Sequence, residues 1–114
     1  MEADPMPDTM PIPVSRYFDA ERHDDTRRLA DFFAPDAAVK DEGHTHHGLE
    51  AIAAWKRASK AAIKYEVTPV WSENVGTQMV VTGRVEGDFP GSPVMLRYTF
   101  TLAGDRISAL EIGS

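Results

Sequence analysis

Two acids and three histidines fall within the ten residues 39–48, VKDEGHTHHG. Asp41 and Glu42 can take or give a proton, and His44, His46 and His47 can do the same near neutral pH or bind a metal through a ring nitrogen. Three chemistries are open to such a cluster: a metal nest, an acid/base site, or a polar loop at the rim of something else. Imidazoles at i and i+2 share a face in an extended segment, and Asp41 or Glu42 could add a third ligand. A complete shell is not legible, because the stretch holds no further acid and His23 belongs to a different segment. The expectation is no metal and no cofactor, with His44 and His46 at a pocket rim or in solvent.

Alternation separates the two acids. Ala37, Val39 and Asp41 share one face of an extended run, and Ala38, Lys40 and Glu42 share the other. The Ala/Val face belongs to the interior, so Asp41 points where apolar side chains point. An inward carboxylate is disfavoured unless it is paired or functional. It either bonds backbone amides at the end of a strand or acts as the base of a pocket.

Composition narrows what such a pocket could serve. The chain has 114 residues, enough for one domain and one core. Cysteine is absent, which removes disulfides, thiolate catalysis and sulfur-based zinc sites. A net charge of −6 argues against a nucleic-acid groove. No apolar run is long enough to span a membrane, and the start has neither the basic nor the apolar region of a signal peptide, so a cytoplasmic protein is expected. The start, MEADPMPDTMPIP, holds four of the eight prolines. Residues 1–12 are expected to be a flexible arm and residues 13–114 a single domain.

The elements that would position Asp41 follow from periodicity. Val14, Tyr17, Phe18 and Glu21 recur at helical spacing. A second helix is expected after Asp25 as N-cap, carrying Leu29, Phe32 and Phe33 inward and stopping before Pro35. A third, LEAIAAWKRASKAA, places Leu49, Ile52 and Trp55 on one stripe. After Ile63 the period becomes two. YEVTPVW sets Tyr65, Val67 and Trp71 on one face, with Pro69 marking an edge or bulge. TQMVVTGRVEG turns Met79, Val81 and Val85 inward, and VMLRYTFTL does so with Val94, Leu96, Tyr98, Phe100 and Leu102. A last strand is RISALEI. Three early helices and a late antiparallel sheet read as α+β, with the helices on one face of a curled sheet. Met95, with Leu110 and Ile112 opposite Ile107, makes these strands apolar on a second face. A homodimer across that exposed face is expected.

RYFDAERHDDTRRLADFFAPDAAVKDEG followed by HGLEAIAAWKR resembles the SnoaL-like polyketide cyclase branch of the nuclear transport factor 2-like superfamily. The specific pieces are the F-A-P-D-A exit, the D-E-G strand end and the G-x-x-A-I-x-x-W helix opening, and the likeness runs over residues 14–112. It implies a cone-shaped α+β barrel of the cystatin-like kind with a deep pocket, usually dimeric through its sheet, with no required metal. In ketosteroid isomerase, of the same superfamily, a tyrosine on the first helix and an aspartate ending the first strand are catalytic. Tyr17 and Asp41 look like matches to them. The isomerase also has a protonated aspartate on a late strand; VMLRYTFTL contains no acid, and the nearest counterparts are Tyr98 and Thr99.

The resemblance therefore implies Asp41 as base and Tyr17 as hydrogen-bond donor, acting on a small apolar carbonyl compound by isomerisation, cyclisation or dehydration. The expected ligand wall is Phe18, Phe33, Trp55, Met79, Leu96 and Tyr98, with His44 and His46 at the rim. By spacing alone, Tyr17 and Trp55 are also simple core residues. A non-catalytic binding or assembly module of the same fold is the other reading.

Overall fold

The computed structural model describes residues 10–23 and 26–113. The expected arm at 1–9 and the expected N-cap Asp25 lie outside the described residues. Helix α1 (Ile12–Arg22) accepts Pro13 in its first turn, where a missing N–H costs nothing. Its buried stripe is Val14, Tyr17, Phe18 and Glu21. Helix α2 (Leu49–Ala62) has the bounds its periodicity predicts and buries Ile52, Trp55 and Lys56.

The helix expected between them does not form. Only a three-residue 3-10 turn, Leu29–Asp31, is present, and the chain then enters strand β1 (Phe33–Asp41). Pro35 forces Ala34 into extended geometry. The Phe32 carbonyl accepts the Ile107 N–H at 2.7 Å, so its bonding is spent on the sheet. Apolar side chains at 29, 32 and 33 fit a helical stripe and an incoming strand equally, and the distant partner decides.

The remaining strands are β2 (His44–His47), β3 (Tyr65–Val75), β4 (Gln78–Gly87), β5 (Val94–Ala103) and β6 (Arg106–Gly113). They form one sheet in the order β2-β1-β6-β5-β4-β3. The sheet is mixed, which corrects the antiparallel expectation: β1 runs parallel to β6, and the other pairs are antiparallel. Parallel neighbours need a long crossover, and here the chain leaves β1 through β2, α2 and the β3–β5 meander before returning. The curled sheet carries both helices on its inner face. Their shared core packs Tyr17 and Phe18 edge-on against Phe100, with Phe32, Phe33 and Tyr98 around them. Each such ring pair adds about 0.5–1.5 kcal/mol to area burial.

Two bulges overturn predicted faces. The β3–β4 register shifts between Pro69 and Trp71, so Trp71 is 47 % exposed and Ser72 is buried in its stead. The β5–β6 register shifts between Thr101 and Leu102, which turns both Ile107 and Leu110 into the core. Ile112 follows Leu110 onto the inner face. Leu110 and Ile112 therefore do not face outward. Of the outward apolar residues expected, Met95 stands, at 55 % exposed, and Trp71 joins it.

Candidate functional site

Sheet register builds the site. Ser72, Val81, Tyr98, Ile112, Asp41 and His44 are successive partners across the six strands. Residues in one such row point to the same face. Asp41 thus lies on the inner face beside Ile112 and Tyr98, as alternation along 37–42 predicts, while Lys40 and Glu42 are exposed.

Asp41 and His44 flank a two-residue turn in which Glu42 (φ 52°) and Gly43 (φ 78°) both adopt left-handed geometry. Such primed turns match strand twist and favour Asn-Gly. A glutamate there is strained by about 1 kcal/mol. Glu42→Asn is accordingly expected to raise stability by a few tenths to about 1 kcal/mol in urea titrations. A loss of stability would show that Glu42 makes compensating contacts.

A cavity of about 380 Å³ opens on this row. Its wall includes Tyr17 from α1, Trp55, Lys56 and Ser59 from α2, Tyr65 from β3, Leu96 and Tyr98 from β5, Ile112 from β6, and Phe89 and Val94 beside β5; Asp41 and Glu42 also border it. The Trp55 indole N–H donates to Asp41 Oδ2 at 3.0 Å. One carboxylate oxygen is thereby held in place by a side chain, not by backbone amides. The indole ring is stacked on its other side by His46, with centroids 5.8 Å apart.

Behind Tyr17 lies a buried ionic group. Lys56 Nζ is ion-paired and hydrogen-bonded to Glu21 Oε1 and stands 3.4 Å from the Tyr17 hydroxyl. Lys60 Nζ is 2.9 Å from the second Glu21 oxygen. Lys56 also lies over the Trp55 ring, 4.4 Å from its centroid. Burial lowers the Lys56 pKa from 10.5, and Glu21 opposes that shift. A second cavity, of about 530 Å³, shares Tyr65 with the first and is bordered by Glu21 and Lys60. The rest of its wall is charged and of mixed sign, including Arg22, Lys64, Glu66, Glu86 and Asp88.

Burial, and secondarily Glu21, raises the pKa of Tyr17, Tyr65 and Tyr98 above the usual 10.0. All three are neutral donors at physiological pH. A raised folded value means that their contribution to stability is whole below about pH 10 and is lost as pH climbs beyond it. Lys56 has the opposite sign: lowered in the folded state, its contribution grows with pH until 10.5 and then stays level. Net loss should therefore be steepest above about pH 10.5, at about 2–3 kcal/mol per pH unit from Tyr17 and Tyr98 together. Urea midpoints across the alkaline range, read with phenolate absorbance, check this; a flat profile would contradict it.

Of the residues expected from sequence, Asp41, Tyr17, Trp55, Leu96 and Tyr98 border one cavity. Phe18, Phe33 and Met79 are fully enclosed in the core behind it and do not reach its wall. His44 is exposed at the edge strand, and His46 touches the site through Trp55. Among the described residues no group of three His, Cys, Asp or Glu could hold a metal ion. Lys56 and Glu21 were missed. The signal was available: Glu21 completes the apolar stripe of α1 four residues after Tyr17, and Lys56 follows Ile52 by one turn.

The sequence model of the SnoaL-like domain matches residues 14–109. The chain belongs to the SnoaL-like family. Among solved structures, this SnoaL-like chain is similar to a candidate polyketide cyclase from Sinorhizobium meliloti, at 47 % identity and TM-score 0.86, covering 90 % of this chain and 94 % of that one. A Catenulispora acidiphila protein with a ketosteroid isomerase-like fold, solved with trimethylamine, is 23 % identical with TM-score 0.80, covering 93 % and 87 %. A candidate SnoaL-like polyketide cyclase from Jannaschia sp. is 20 % identical with TM-score 0.75, covering 92 % and 88 %. The last two show the fold alone. No curated protein matches the chain. No helix among the described residues is long and apolar enough to cross a membrane.

Proposed function

We propose that this SnoaL-like domain binds a small, mostly apolar carbonyl compound and removes a proton beside the carbonyl without a cofactor. The observation that carries this reading is one carboxylate, Asp41, on the wall of an otherwise largely apolar cavity that Tyr17 and Tyr98 also border. Asp41 is the base, anchored through Oδ2 by Trp55 so that Oδ1 remains for the proton. Tyr17 donates to the oxygen on which enolate charge develops, with Tyr98 as a second donor. A low-dielectric wall makes such donors worth more than in water. Isomerisation, aldol cyclisation and dehydration all begin with this step. The likeness to a candidate polyketide cyclase favours cyclisation.

The test is proton exchange. A panel of small apolar ketones in deuterated buffer should exchange α-hydrogens faster with the protein than without it, as followed by NMR. Ligands that bind with no exchange across the panel would favour the second reading, a non-catalytic binding module. The Trp55–Asp41 hydrogen bond lends that reading its support, since it satisfies the carboxylate without any reaction.

We also propose a homodimer through the outer sheet face, where Trp71 and Met95 are exposed. Light scattering should give twice the 12.6 kDa chain mass at tens of micromolar; a monomeric mass would exclude it.

A further inference from the structure

The geometry points to Lys56 as the residue that makes this cavity selective for a ligand oxygen bearing negative charge, acting through the Tyr17 hydroxyl. The inference rests on the proposed reading of the pocket and names the charge state that the pocket prefers.

Direction of donation is the first argument. An ammonium has three donors and no acceptor. At 3.4 Å from the Tyr17 oxygen, Lys56 can only offer a proton to it. That separation is long for a hydrogen bond but close for a charge beside a hydroxyl. Tyr17 must then present its own O–H elsewhere, and the cavity is the space that Tyr17 borders. A hydroxyl that accepts from a cation is polarised toward donation.

The count of charges is the second argument. Glu21 neutralises one ammonium, yet two are drawn to it: Lys56 at one oxygen and Lys60 at the other. The group carries one surplus positive charge beside side chains that are 9 % and 1 % exposed. Of the two lysines, Lys56 borders the smaller cavity and Lys60 the larger. Asp41 and Glu42 are the acids on the smaller cavity's wall, so it has a carboxylate region and a cationic region. A neutral apolar ligand gains nothing from the second, whereas an enolate, or a phenolate as its stable mimic, does. A purely structural role would be served as well by a one-to-one pair or by apolar residues.

Lys56 is thus a positioning residue, and its test reads selectivity along with affinity. Two phenols serve as probes: 4-nitrophenol, acidic enough to bind as its yellow anion, and 4-methylphenol, which binds neutral. Wild-type protein should bind 4-nitrophenol with growth of the phenolate band at a pH where the free phenol is mostly neutral. Lys56→Gln should weaken that binding by about tenfold or more while changing 4-methylphenol by less than about threefold. Lys56→Arg should restore most of the anion preference. Should Lys56→Gln fold poorly, the double variant Glu21→Gln/Lys56→Met removes both charges of the pair and should fold while still losing the preference. Equal phenolate binding in the variants and the wild type would overturn the inference alone, leaving ketone exchange and the pocket reading intact. Failure of both phenols to bind the wild type would overturn the inference and the pocket together.

Discussion

Glu21→Ala should destabilise the protein by about 3–5 kcal/mol, the cost of leaving a buried charge without its partner. The Glu21 side chain is 1 % exposed and holds Lys56, itself 9 % exposed, from below. Without the carboxylate, two ammonium groups face one another across a dry space. Lys60, at 15 % exposed, can swing toward water. Lys56 cannot do so without leaving the Trp55 and Tyr17 rings it lies over. Adding Lys56→Met to a Glu21→Gln background should recover most of the loss, because both charges then go together. Urea denaturation of the single and double variants measures the coupling. A Glu21→Ala midpoint within about 1 kcal/mol of the wild type would show that water already reaches the group.

Asp41→Asn should separate function from stability. The asparagine oxygen can still accept the Trp55 indole proton, so stability should stay within about 1 kcal/mol of the wild type. An aspartate tied to backbone amides at the strand end would instead lose about 1–3 kcal/mol on this change. Proton exchange from a bound ketone should fall by about 10²–10⁴, the usual contribution of a positioned general base. Asp41→Ala should lose the same activity and also leave the indole N–H, on a side chain only 8 % exposed, without its acceptor. Undiminished exchange in Asp41→Asn would remove Asp41 as the base.

Alternation along 37–42 predicted an inward Asp41 from six residues, and the row Tyr98–Ile112–Asp41 places it there. The stripe of α2 likewise predicted both bounds of the helix and the inward Trp55. Other faces misled. Strict alternation put Trp71 inside and Leu110 and Ile112 outside, and one bulge on β3 and one on the β5–β6 pair reversed all three. An inserted residue changes the parity of everything after it, and no local composition announced either bulge beyond Pro69. The three histidines, the most conspicuous chemistry in the chain, lie on an edge strand where only His46 approaches the site, through Trp55.

Local rules, then, determined what depends on near neighbours: the two helices, the inner faces of β1, β4 and β5, and the family to which their order belongs. Tertiary structure decided what depends on distant partners. Residues 29–33 became a turn and a strand because β6 was there to take the Phe32 carbonyl. Glu21 and Lys56, 35 positions apart, met as a buried pair because α1 and α2 pack on the same curled sheet. Periodicity records which side chains are inward, but a buried charge is tolerable only where its counter-charge arrives, and that meeting is made by the packing of whole elements.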